Sequence, residues 1–367
     1  MLQTAAEPRP IADYQAVPPA ELFRRTAAAK RVLGERVMVL GHNYQRDEVI
    51  EHADFRGDSL QLSKLAAERS ERPHIIFCGV HFMAETADIL SRSNQTVILP
   101  DMAAGCSMAD MAAIEQVDEC WEALGRILPV EETVLPAVYV NSAAVLKAFC
   151  GEHGGITCTS SNAKAVIEWA WARREKILFF PDEHLGRNTA NKMGVSREQM
   201  IVWDPFQPNG GNTREAITRA KLILWKGHCS VHQMFQPVHV DQFRKQYPDG
   251  KVIVHPECHE NVVNKADLVG STELIIRTVT AAPAGTVWAV GTELNLVNRL
   301  KRELTDKKVF FLSSTICQCA TMFRIDAAHL CWAMENLAEG HVVNRIVVPD
   351  DDKRWARVAL DRMMEIS

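Results

Sequence analysis

Val252-Ile253-Val254-His255-Pro256-Glu257-Cys258-His259-Glu260 is the stretch on which the reading of this chain turns. Three β-branched residues in a row suit a strand buried on both faces, the pattern of a parallel sheet. The run stops at a cluster of ionisable side chains. Open α/β sheets bind ligands beyond the carboxyl ends of their strands, so His255 and Glu257 stand where chemistry is expected. A lone His or Glu at a strand end more often serves a loop. The weight comes from recurrence of the layout.

The same order of signals occurs twice more. Val37-Met38-Val39-Leu40 ends in Gly41-His42-Asn43-Tyr44, and Ala137-Val138 leads to Tyr139-Val140-Asn141. A hydroxyl residue that opens a helix follows each tip: Ser59 after His42, Ser160 after Asn141 and Thr272 after His255, at spacings of 17, 19 and 17. Each unit then runs through further strands to a cysteine. His42 to Cys106 spans 64 positions and His255 to Cys319 also 64, whereas Asn141 to Cys229 spans 88, the excess being an excursion through the turn signal Pro208-Asn209-Gly210-Gly211. A repeat of this kind predicts an α/β protein of three similar three-layer α/β/α domains, with parallel sheets around a pseudo-threefold centre. The expected domains are 20–118, 119–232 and 233–325, with 326–367 a C-terminal helix and tail packing back on them. Residues before about 19 read as a loose leader, and a helix is expected from Pro19 to Gly34.

With 367 residues, 47% hydrophobic and 24% charged, the chain has enough apolar material for two or three domains. A formal charge of -5 gives no electrostatic reason to expect nucleic acid. No apolar run approaches the roughly 20 residues a membrane helix needs, so no membrane association is expected. The segment Glu7-Pro8-Arg9-Pro10 lacks the basic and apolar blocks of a secretory signal, which points to a cytoplasmic protein. Ten cysteines are many for that compartment, where disulfides are rare. There is no CxxC, and Cys317-Gln318-Cys319 is too tight for a standard chelating pair. Any metal site must therefore gather thiols from distant parts of the chain.

The repeat selects Cys106, Cys229 and Cys319. Three thiolates are one short of closing a cubane or a tetrahedral zinc site, and an open metal position is a mark of catalysis. The helix starts at Ser59, Ser160 and Thr272, read as capping residues, present free N–H groups and a positive dipole end to an anionic substrate. His42, Tyr44, Tyr139, Asn141, His255 and Glu257 add donors and acceptors, among which Glu257 and a His or Tyr could move protons.

Together Gly41-His42-Asn43-Tyr44, Gly105-Cys106-Ser107-Met108-Ala109-Asp110, Tyr139-Val140-Asn141-Ser142, Trp225-Lys226-Gly227-His228-Cys229-Ser230-Val231-His232, His255-Pro256-Glu257-Cys258, Gly270-Ser271-Thr272 and Cys319-Ala320-Thr321-Met322 resemble, in order, the motifs of the quinolinate synthase family. The resemblance covers about residues 35 to 325, and the Ile316-Cys317-Gln318-Cys319 context is similar to the longer bacterial branch. It implies condensation of iminoaspartate (iminosuccinate) with dihydroxyacetone phosphate to quinolinate, with loss of phosphate and two waters, in de novo NAD biosynthesis. It also implies a [4Fe-4S] cluster on Cys106, Cys229 and Cys319 with one open iron, and functional coupling to L-aspartate oxidase. His42, Ser59, Tyr139, Val140, Asn141, Ser160, His255, Pro256, Glu257 and Thr272 are implied as the substrate site, with Glu257, Tyr44 and His255 catalytic. Some members carry a CxxCxxC run at the third cysteine. This chain has only Cys317 and Cys319 there, which weakens any disulfide switch of that type.

Two other readings compete. His255-Pro256-Glu257 imitates the HxE half of a zinc deaminase, but the PCxxC half is missing. An iron–sulfur sensor for a partner or for DNA is opposed by the acidic balance and by the lack of a basic helix.

Overall fold

A computed structural model describes residues 7–69, 71–315 and 318–366. Cys317, named above beside the third selected cysteine, lies outside the described residues. The described chain is α/β, with fourteen strands in three sheets. In chain order they are β1 (Val37–His42), β2 (Phe55–Gly57), β3 (His74–Cys78), β4 (Thr96–Ile98), β5 (Val134–Tyr139), β6 (Ile156–Cys158), β7 (Lys176–Phe180), β8 (Met200–Trp203), β9 (Leu222–Trp225), β10 (Lys251–Val254), β11 (Leu268–Val269), β12 (Val287–Gly291), β13 (Lys308–Phe311) and β14 (Arg345–Ile346).

The sheets run β14-β4-β3-β1-β2, β6-β5-β7-β9-β8 and β11-β10-β12-β13. Each holds the same four-strand core, with the first strand of the repeat flanked by the second on one side and the third on the other. All core pairings are parallel. Differences sit at the edges. β14 joins the first sheet antiparallel, and β8, inside the excursion, adds a parallel edge to the second. The first strand lies at the topological switch point, where crossovers leave to opposite sides and open a crevice at the strand's carboxyl end. His42, Tyr139 and His255 sit at these three ends.

The first and third sheets repeat without a gap. β3 and β12, the helices Ser59–Glu68 and Thr272–Ala281, and the helices His81–Leu90 and Leu294–Glu303 are each offset by 213 positions (287 less 74, 272 less 59, 294 less 81). Detailed hydrogen bonding repeats too. Asp54 Oδ2 accepts from Val39 N at 2.8 Å, and Asp267 Oδ2 accepts from Val252 N at 2.8 Å.

By contact the chain forms two compact units, 1–106 with 319–348, and 107–318 with 349–367. In the first, helix Ala327–Ala338 packs beside helix Pro19–Leu33. The leader is not loose from residue 7 on. The Tyr14 ring is fully buried against Leu22, Ala328 and Cys331, and its hydroxyl donates to Glu335 Oε2 at 2.7 Å, so an apolar body and a satisfied polar tip anchor the segment. The second unit holds the other two sheets. Helix Ile114–Gly125 buries Val117, Trp121 and Leu124 in the core formed with β5, β7 and β9. Helix Asp350–Glu365 lies on helix Ala144–Glu152 so closely that a Cβ on Gly151 would meet Trp355 O at 1.9 Å. In the third sheet Val252, Ile253 and Val254 are completely buried, about 2 kcal/mol each by apolar transfer.

Three sequence expectations need correction at the helix starts. The capping side chains are Asp58, which accepts from Gln61 N, and Ser271, which accepts from Leu274 N. Ser59 and Thr272 are the first helical residues, one step inside. Ser160 precedes Asn162, whose side-chain Oδ1 accepts from Thr159 N at 2.7 Å and closes the turn before helix Ala163–Trp171. The hydroxyls thus sit beside helix N-termini without being the caps.

Candidate active site

In the second unit β5 and β10 each end at the crevice of their own sheet, and their tips meet. The Tyr139 hydroxyl donates to Glu257 Oε1 at 2.6 Å. His232, on the turn Ser230–Gln233, approaches Glu257 Oε2 through Nδ1 at 2.9 Å. Its ring stacks on His255 at 4.5 Å between centroids and 22°, and its Nε2 lies 3.2 Å from Thr292 Oγ1. Glu257 and both histidines are 2% exposed, so this is a dry carboxylate whose two oxygens are each matched to a donor.

Burial alone would push the Glu257 carboxyl up. The adjoining His255 and His232 and the hydrogen bonds from His232 and Tyr139 outweigh it and bring the group down to about 2. His255 goes the other way for a base: burial takes its ring down to about 3, against the pull of Glu257. At neutral pH the pair is therefore carboxylate and neutral imidazole, and the 3.8 Å approach of His255 Nδ1 to Glu257 Oε1 is not an ion pair. Nδ1 of His255 accepts the Glu257 backbone N–H at 3.3 Å, which leaves the ring proton on Nε2 as a donor.

Other expected residues fall into place separately. Val140 is buried and donates its N–H to Cys158 O at 2.8 Å; Asn141, next to it, is half-buried. Ser160, Pro256 and Gly270 line one small cavity with Lys164, Asn188 and Lys192. In the first unit the His42 Nδ1 accepts from Tyr44 N at 3.2 Å, and the two rings meet edge-on at 4.8 Å. Ser59 is buried at the start of its helix.

Metal-binding capacity follows from the thiols. Nine cysteines are described as free, and of these only Cys106, Cys229 and Cys319 are half-exposed. Burial pushes the thiols of Cys78, Cys120, Cys150, Cys158, Cys258 and Cys331 up, which opposes the thiolate a metal requires. The repeat and the accessibility thus select the same three residues, and thiols that solvent reaches suit a metal better than buried ones. In the second unit Cys229 Sγ, a ring nitrogen of His232 and a carboxylate oxygen of Glu257 all lie within 4.8 Å of one another, a mixed set that could also hold a single ion.

Sequence reasoning quoted His232 only as part of a motif and did not give it a role. The signal was present: a histidine three residues after Cys229 lies one turn away from it. Asp182 was missed as well. It follows β7, is fully buried, and caps Leu185 N at 2.6 Å through Oδ1, while burial and the charge of Glu257 push its carboxyl well up. Gly227 lets this segment pass against the loop that leads to Cys229, since a Cβ on it would meet Pro181 O at 2.2 Å.

Comparison with known proteins shows the family. The family model described as NadA, quinolinate synthetase A protein, matches residues 25–365. A quinolinate synthase of Acidobacterium capsulatum is 58% identical, over 96% of this chain and 95% of the relative. Relatives of the same name from Herpetosiphon aurantiacus, 55% identical over 97% and 95%, and Rhodopirellula baltica, 54% identical over 97% and 94%, are similar along nearly their whole length. Among the described residues no helix is long and apolar enough to cross a membrane.

Proposed function

The chain belongs to the quinolinate synthase family, and on that premise we propose that it condenses iminoaspartate with dihydroxyacetone phosphate to quinolinate, with loss of phosphate and two waters, in NAD biosynthesis. The observation that carries the chemistry is the buried Glu257 carboxylate, held ionised between Tyr139 and His232. A carboxylate kept free of water and ionised orients a substrate N–H or O–H brought against it, and its hydrogen bonds to Tyr139 and His232 give a proton a path through the site. The neutral His255, with its proton on Nε2, donates to a substrate oxygen and orients it. Tyr44 supplies a second phenol for proton transfer.

The residues we propose for the substrate are His42, Ser59, Tyr139, Val140, Asn141, Ser160, His255, Pro256, Glu257 and Thr272. Helix starts at Ser59 and Thr272 suit the carboxylates and phosphate of these substrates. Cys106, Cys229 and Cys319 are the proposed ligands of a [4Fe-4S] cluster. When bound, such a cluster with three protein ligands supplies a Lewis acid with an open position for a departing hydroxide. Iminoaspartate is short-lived in water, so coupling to L-aspartate oxidase as its source belongs to the proposal.

Anaerobic purification tests this reading. The chain should carry about four irons and four sulfides, absorb broadly near 400 nm, and form quinolinate from the two substrates. Cys106→Ala, Cys229→Ala and Cys319→Ala should each bleach that absorbance, and Cys258→Ala should not. The Cys229, His232 and Glu257 set favours one other reading, a mononuclear zinc enzyme. Colourless protein with about one zinc per chain would select it, and iron-loaded protein that forms no quinolinate would sink the proposed reaction.

A further inference from the structure

Glu257 sits on a turn whose carbonyls are held in a way the reaction does not explain. The Asn188 Nδ2 donates to Pro256 O and to Cys258 O, each at 2.8 Å. Gln233 Nε2 donates to the carbonyl between them, Glu257 O, at 2.9 Å. Three successive carbonyls are thus gripped by two side-chain amides. One amide comes from helix Glu183–Lys192 and the other from the turn that also carries His232. The N–H groups are fixed as well, Glu257 N on His255 Nδ1 at 3.3 Å and Cys258 N on His255 O at 3.0 Å. Asn188 is 2% exposed, a buried polar side chain placed in a helix interior where propensity gives it no advantage.

We propose that Asn188 and Gln233 are positioning residues, which fix the 256–258 turn so that the Glu257 carboxylate stays registered between Tyr139 and His232. A turn held only at its N–H groups could rock, and carboxylate displacements of about 1 Å cost on the order of 100-fold in rate. The inference deepens the reaction proposed above and rests on Glu257 acting in it.

Asn188→Leu and Gln233→Leu test it in the full chain, isolated anaerobically with its metal. Each removes the amide donors and leaves an apolar side chain in their place. We expect kcat to fall about 10- to 100-fold, with KM and visible absorbance close to those of the unaltered protein. Amide hydrogen exchange at 255–258 should also accelerate, a readout that does not depend on turnover. Gln95→Leu is the structural control, since Gln95 Nε2 likewise serves three carbonyls, Ala66 O, Arg69 O and Arg72 O at 3.0, 3.2 and 3.1 Å, but in the first unit. It should lower the melting temperature and leave exchange at 255–258 unchanged.

The inference is overturned if both leucine variants keep normal kcat and normal exchange, or if Gln95→Leu reproduces their faster exchange at 255–258. Should Asn188→Leu fail to fold, Gln233→Leu, altered on a half-buried turn, decides alone by the same readouts. Faster exchange at 255–258 in protein whose parent forms no quinolinate would uphold the positioning and reject the reaction.

Discussion

The tips of β1 and β10 share one backbone and carry different chemistry. His42 and His255 stand 213 positions apart, and so do Tyr44 and Glu257. In both tips the residue two after the histidine donates its N–H to the ring Nδ1, at 3.2 and 3.3 Å. In both, the third residue after the histidine donates to the histidine carbonyl, Gln45 N at 2.9 Å and Cys258 N at 3.0 Å. The divergence begins at the middle position. Asn43 N donates to Gly57 O at 3.0 Å, whereas Pro256 has no N–H to give. The third tip instead has its carbonyls held from outside, and it presents a buried acid where the first presents a phenol packed on its own histidine. A repeated frame therefore fixes where a side chain points, and substitution within it decides what that side chain does.

Removing the acid should separate the two tips most strongly. Glu257→Gln keeps the shape and the donors but removes the base, and turnover to quinolinate should fall about 1,000-fold or more, with the absorbance near 400 nm retained. Tyr44→Phe, at the equivalent position, should cost roughly 10- to 100-fold in the same anaerobic assay. Equal losses, or a larger loss at Tyr44, would mean that the main proton acceptor lies in the first unit and that the comparison is the wrong way round.

Much of this frame is legible in the sequence, for reasons that particular residues make plain. Val252, Ile253 and Val254 announce a doubly buried strand, the equal 64-residue spans to Cys106 and Cys319 announce the repeat, and the three cysteines it selects are the half-exposed ones among the described residues. What escaped was long-range polar accounting. Asn188 lies in a helix whose periodicity says nothing of carbonyls 68 and 70 residues away. Tyr14 looks like leader because its partner Glu335 is 321 residues distant. The caps were misplaced by one residue because Asp58-Ser59 and Ser271-Thr272 each offer two capping side chains in succession, and only local backbone geometry chooses between them.

Acid should expose the strain of burying the third tip. The His255 ring, held at about 3 against an ordinary 6.5, stays neutral when folded, so below pH 6.5 the unfolded chain binds the extra proton and the native state loses stability until about pH 3. Glu257, held at about 2 against 4.5, contributes stability that is complete above pH 4.5 and is lost as pH falls toward 2. Both slopes have the same sign, each limited to about 1.4 kcal/mol per pH unit. Urea midpoints should fall from pH 6.5 downward, and His255→Asn should flatten the part between 6.5 and 4. His184, brought down to about 4 mainly by burial, keeps a share of that slope. An unchanged slope in His255→Asn would assign the whole effect to other histidines.

The smallest expected difference is the sharpest check on the shared frame. Asp54 and Asp267 each accept from the N–H of a fully buried valine, Val39 and Val252, at 2.8 Å, and each donates its own N–H to that valine's carbonyl, at 2.8 and 2.9 Å. Their other partners are partly exposed cations: Lys30 at 2.7 Å for Asp54, and Arg244 at 3.3 Å and Lys251 at 3.9 Å for Asp267. Such pairs contribute little, whereas orphaning a buried N–H costs about 1–3 kcal/mol. Asp54→Ala and Asp267→Ala should therefore destabilise by amounts that agree within about 0.5 kcal/mol when each is measured by denaturant unfolding. A gap well beyond that would show that the two strands are supported differently despite matching hydrogen bonds. The divergence between the tips would then reach down into the scaffold and not begin at Asn43 and Pro256.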